Sequence, residues 1–156
     1  MKIYIGSAVQ NLSELDYREI TRKITWLKEE LVKRGYEVLN YKGIRDRSAT
    51  PRETYKWDYA NCMACHAFIA IALQPSIGLG MEIVTCLERC DEQDWKPDPA
   101  FVFATAAKDT NVSKLLEGWE HWAFTFRRFK TFEDIPDIFE LEYKEYLGRE
   151  SEPTFD

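Results

Sequence analysis

Residues 67–82 read AFIAIALQPSIGLGME, and this stretch decides the fold. Seven consecutive apolar residues, 67–73, form the pattern of a parallel strand buried on both faces. Gln74-Pro75-Ser76 ends the run and glycines stand at 78 and 80. A helix is predicted from about residue 81 to residue 90, with Ile83, Val84 and Leu87 toward a sheet. The same strand, turn, helix order recurs on both sides. Residues 2–5 are a short β-prone run ending at Gly6-Ser7, and Ser13 opens a helix with apolar positions at Ile20, Ile24, Leu27, Leu31 and Val32. Gly35 closes it, and residues 36–41 read as a second strand before a polar loop at 42–49. Thr50-Pro51 with Glu53 starts a helix that runs to about residue 64. Downstream come a strand at 100–104, a short helix at 111–117, a strand at 121–129 and a last helix at 135–146.

Strands and helices alternating in this way predict a single-domain α/β fold: a doubly wound, flavodoxin- or Rossmann-like five-stranded parallel sheet with helices on both faces. Ligands of such sheets bind beyond the carboxyl ends of the strands. The domain is expected to span residues 1–147, followed by a polar tail at 148–156. A chain of 156 residues with 45% hydrophobic content is large enough for one full core. The net charge of −6 and pI near 5.1 exclude a nucleic-acid polymer as partner, because Lys and Arg form no basic cluster to offset the repulsion. A single nucleotide stays compatible, since backbone N–H groups at a helix start hold one phosphate. The opening MKIYIGSAV carries no long apolar run, so neither a signal peptide nor a membrane helix is expected and a cytoplasmic location follows. Cys62, Cys65, Cys86 and Cys90 are then expected to be reduced thiols.

The turn at 74–82 brings a buried strand, two glycines and a helix start together, an arrangement that suits anionic or phosphorylated ligands, with the Ser76 hydroxyl as an added donor. Placed in the first helical turn, Glu82 is expected to be kept ionised by the helix dipole. The plainer alternative is an ordinary helix-start acid beside a tight turn. Asp58, on the preceding helix, is the second candidate carboxylate, with a solvated helix residue as its plainer alternative.

QPSIGLGME, preceded by AFIAIAL and by Asp58 at 24 positions before Glu82, resembles the nucleoside 2-deoxyribosyltransferase superfamily, and within it the 2'-deoxynucleoside 5'-monophosphate N-glycosidases. The resemblance spans residues 2–118, includes the opening Tyr4-Ile5-Gly6-Ser7 and is strongest over 55–87. It implies that Glu82 attacks C1' to give a covalent glycosyl-enzyme, that Asp58 assists the departing base and that Tyr4, at the end of the first strand, positions the nucleophile. An anion beside C1' suits the cationic, oxocarbenium-like transition state. Gly6, Ser7, Gly78 and Gly80 match substrate-binding positions. Pro75-Ser76 stands where enzymes acting on free nucleosides carry an acid, so Ser76 implies a 5'-monophosphate. The resemblance further implies a homodimer or higher homo-oligomer with shared active sites, Asn111-Val112-Ser113 reaching across and Ser113 making a second phosphate contact. No cofactor or metal is implied. Ala8-Val9-Gln10-Asn11 replaces the family's glycine- and arginine-rich loop, and Arg45 or Arg47 would supply the missing charge. His66 stands where the family usually has Asp.

Other readings remain beside this one. A transferase would pass the sugar to a second base, and a non-catalytic module would bind or sense the nucleotide. Cys62-Met63-Ala64-Cys65-His66 spells the C-x-x-C-H haem-attachment pattern, but attachment follows export and no export signal is read. Cys62, Cys65, Cys86 and Cys90 also have zinc-like helical spacings, although helices flanking a sheet more often bury such thiols separately. Trp57 and Tyr55, beside Asp58, are candidates to line a base pocket. The aromatic run 119–129 is expected to serve core and dimer interface.

Overall fold

The structure, a computed structural model, describes residues 1–9, 12–39, 48–89 and 99–150. Strands β1 (Lys2–Ser7), β2 (Glu37–Val38), β3 (Ala67–Ile71), β4 (Phe101–Ala107) and β5 (Phe124–Phe129) form one sheet in the order β2-β1-β3-β4-β5. Every neighbouring pair is parallel, which is the expected α/β architecture. The helices are α1 (Glu14–Lys33), α2 (Pro51–Ala64), α3 (Ile77–Leu87), α4 (Lys114–Glu117) and α5 (Ile135–Glu150). With right-handed crossovers the step leftward to β2 puts α1 on one face, where it meets α5, and the steps rightward put α2 and α3 together on the other.

Local chemistry sets most element ends. The Ser13 hydroxyl caps α1 by accepting from Asp16 N–H, and Gly35 leaves the helix at φ 90°, a conformation that costs a residue with a Cβ. Ile20, Ile24, Leu27 and Leu31 are buried as one stripe, whereas Val32, expected among them, is 52% exposed on the far side of the helix. Thr50 and Glu53 close the reciprocal capping box at the start of α2. In the core, Phe101 and Phe103 of β4 meet Phe139 of α5, with ring centroids 6.2 and 6.0 Å apart.

Several boundaries differ from those expected. Paired residues of β2 are confined to Glu37–Val38, with Leu39 N–H still donating to Ile3 O, and residues 40–47, Arg45 and Arg47 among them, lie outside the described residues. Strand β5 begins at Phe124 because residues 121–124 form a turn, Phe124 N–H donating to His121 O and Ala123 N–H to His121 Nδ1. Helix α4 starts only at Lys114, since Ser113 caps it. Helix α5 runs through Gly148 to Glu150, past the end expected at 146. The largest difference is α3. It starts at Ile77, not near Met81, because the Ser76 hydroxyl accepts from Leu79 N–H and caps it there. No helix among the described residues is long and apolar enough to cross a membrane.

Candidate active site

Two helix stripes face each other across a cleft of about 390 Å³. Thr54, Tyr55, Asp58, Tyr59 and Cys62 line it from α2, and Gly78, Met81, Glu82 and Thr85 from α3. Steps of three and four residues put each set on one helix face. Tyr55 and Tyr59 stack at 5.7 Å, and both are largely exposed. Tyr59 and Thr85 were not singled out in the sequence, although the four-residue step from Tyr55 to Tyr59 was a readable signal. Trp57, a base-pocket candidate, does not line this cleft.

Three of the expected residues meet beneath the cleft. Tyr4 lies in the middle of β1, not at its end, and its ring stacks on Phe68 of β3 at 5.0 Å. Its hydroxyl donates to Asp58 Oδ1 at 3.1 Å. The Glu82 carboxyl descends toward the sheet above Gly6, where a Cβ would overlap both Glu82 Oε2 and the Phe68 ring. Gly6 thus makes the well that receives the carboxylate. Glu82 Oε2 is buried with no hydrogen-bond partner among the described residues, although other atoms of the residue reach the surface. Alternation along β1 turns Ser7 to the face opposite Tyr4 and Gly6, away from this well.

The electrostatics differ from the expectation of an ionised Glu82. With α3 starting at Ile77, Glu82 sits in the second turn, where the dipole field has faded and burial governs. Burial, then the Asp58 charge, push its carboxyl up to about 8, with the nearby Tyr4 hydroxyl opposing. Burial also raises Asp58, against the Tyr4 hydrogen bond that stabilises its anion. Burial, then Glu82 and Asp58, hold the Tyr4 phenol well above its ordinary range, so it stays a donor. Of the two carboxyls, Glu82 is therefore the one that keeps its proton at neutral pH.

Of the other expected residues, Gly78 alone lines this cleft. Gly78 and Gly80 lie inside α3 rather than in a turn before it. Ser76 and Ser113 each cap a helix with the hydroxyl oxygen and, with Gly80, line a second, apolar groove of about 740 Å³ on the other side of α3. Ile77, Met81, Val84 and Leu115 stand exposed along that groove, so Val84 faces away from the sheet it was expected to cover. Asn111 is exposed and lines neither cavity. His66 serves β1, its Nδ1 accepting from Lys2 N–H at 2.9 Å. Among the described residues no group of three or more His, Cys, Asp and Glu side chains is arranged to hold a metal ion.

No protein-family model and no curated protein matches the chain. Among solved structures, a CMP N-glycosidase of Clostridium botulinum is similar, with a TM-score of 0.54 and 16% identity over 90% of this chain and 99% of that one. At that identity the likeness establishes a shared fold.

Proposed function

We propose that the cleft between α2 and α3 cleaves the N-glycosidic bond of a nucleoside 5'-monophosphate, releasing the base and a sugar 5-phosphate. The observation that carries this reading is the pair of carboxyls, Asp58 and Glu82, joined through Tyr4 under one open cleft. Two carboxyls sharing a proton can supply the nucleophile and the acid that such a bond requires. The proton on Glu82 passes by way of the Tyr4 hydroxyl to Asp58, leaving a Glu82 anion beside C1' and an acid beside the base. A Glu82 oxygen bonds C1' as the C1'–N bond breaks, and Asp58 gives its proton to the departing base. Asp58 then takes a proton from water, which attacks C1' and frees Glu82.

The similar structure, described as a CMP N-glycosidase, supports a nucleotide substrate. So does the α3 N-terminus at Ser76, since a helix start favours an anion. Because Ser76 and Ser113 border the apolar groove, a second copy of the chain covering that groove would bring hydroxyls toward a shared site. Nucleotides and nucleosides incubated with the protein, with and without an added free base, test the reading. Base and sugar phosphate are expected from nucleotides alone. Base exchange without net sugar-phosphate release would instead establish a transferase, and tight binding without any base release a non-catalytic sensor.

A further inference from the structure

Behind the acid pair, α2 and α3 touch through three buried thiols that the proposed reaction does not use. Cys62 Sγ lies 3.7 Å from Glu82 O and donates to it, and Cys62 O accepts from Cys65 Sγ at 3.4 Å and from Cys86 Sγ at 3.9 Å. Cys65, the residue that caps α2, and Cys86 of α3 are 21 residues apart and have their sulfurs 4.0 Å apart, which is direct contact. Arg89 closes the cluster. It is 8% exposed, its Nη2 donates to Cys65 O and stands 3.5 Å from Cys65 Sγ, and its Nε is buried without a partner among the described residues. A buried guanidinium with one side chain sulfur in reach and, among the described residues, no carboxylate in its hydrogen bonds is a setting for a thiolate.

We propose that Cys65 and Cys86 are a reversible thiol-oxidation site that cross-links α2 to α3 when a peroxide reaches it. The Cys86 thiol as donor, then the Arg89 charge, hold the Cys65 thiol below its usual range against the effect of burial, and Cys86 itself is pushed up, which makes Cys65 the attacking sulfur and Cys86 the resolving one. Cys65 Sγ attacks one peroxide oxygen, the O–O bond breaks, and the leaving oxygen takes a proton to give water or an alcohol. Cys86 Sγ then displaces hydroxide from the sulfenic acid, its proton completes a second water, and the S–S bond forms. Two thiols lose two electrons and the peroxide gains them. Because Cys65 caps the helix that carries Asp58 and Cys86 stands one turn after Glu82 on α3, the cross-link fixes the spacing of the two helices below the cleft.

The test is to expose the full-length folded chain to hydrogen peroxide, alkylate remaining thiols under denaturing conditions, and map the peptides by mass. The expected product lacks two hydrogens, joins the Cys65 peptide to the Cys86 peptide, and returns to four alkylatable thiols with dithiothreitol. The same treatment in urea should scatter the pairing over all four cysteines, and Cys86→Ser should leave a sulfenic acid at Cys65 that dimedone captures. A Cys65 and Cys86 that both remain alkylatable, a link to Cys62 or Cys90 instead, or the same pairing in urea as in the fold would overturn the proposal. None of these outcomes depends on nucleotide turnover.

Discussion

At the scale of single residues, Glu82 carries a buried carboxyl oxygen at the foot of an open cleft. Its position after two glycines marked it, but its protonation depends on depth, and depth is set by Gly6, which is distant in sequence and has no side chain of its own to signal the role. Two consequences are testable. Replacing Glu82 by Ala should abolish base release while nucleotide binding, measured by calorimetry, persists; Asp58→Asn should lower kcat about 10²- to 10⁴-fold, as expected for loss of a proton donor. The second concerns pH. In the fold Glu82 holds its proton to about pH 8, whereas an unfolded glutamate releases it near ~4.3. Between those values the unfolded chain binds fewer protons, so the contribution to stability is full below the lower value and is lost as pH rises toward about 8. Urea unfolding of the wild type against Glu82→Gln, whose amide stays neutral, should show this difference opening with rising pH to on the order of a few kcal/mol. Parallel curves would show that the carboxyl is ionised throughout.

Individual elements were read well where apolar spacing and caps agreed. The Thr50 capping box, the Gly35 stop and the start of the buried strand at Ala67 stand where the sequence placed them, the strand ending at Ile71 rather than Leu73. Helix α3 was misplaced because Gly78 and Gly80 are poor helix formers, and burial of Leu79 and Ile83 outweighs about 1 kcal/mol for each. The two glycines are separable by substitution. Nothing stands within 4 Å of a Cβ at Gly80, so Gly80→Ala should raise stability by about 1 kcal/mol. At Gly78 a Cβ meets only Ser76 Oγ at 3.8 Å, so the fold should tolerate Gly78→Ala, yet the methyl enters the cleft and should raise KM. Ser76→Ala should cost about 1 kcal/mol through the lost cap, measured by thermal unfolding. If Ser76 also holds phosphate, KM for a nucleotide should rise more than KM for the matching nucleoside.

For the whole molecule, alternating elements gave the sheet and its order follows the doubly wound rule, with β1 and β3 flanking the point where connections reverse direction. Which serines reach which cavity was not legible, because capping and substrate contact use the same hydroxyl and only three-dimensional placement separates them. The apolar groove beside α3 belongs to this scale. If a second copy covers it, Ile77→Asp or Leu115→Asp should shift the mass by light scattering to that of one chain and lower base release, whereas Leu15→Asp, equally exposed on α1, should change neither.

The pairing of β1 with β3 also has a consequence for how the chain is made. β1 is synthesised first, yet five of its residues pair with residues 67–71, and its other neighbour is only two residues long. A nascent chain therefore carries an unmatched apolar strand past the exit tunnel until β3 has emerged, which is the situation in which nascent chains are aggregation-prone. The hydroxyl of Tyr4 and the well at Gly6 sit on that strand, so a truncated translation product ending before β3 would own two parts of the candidate site and be unable to assemble either.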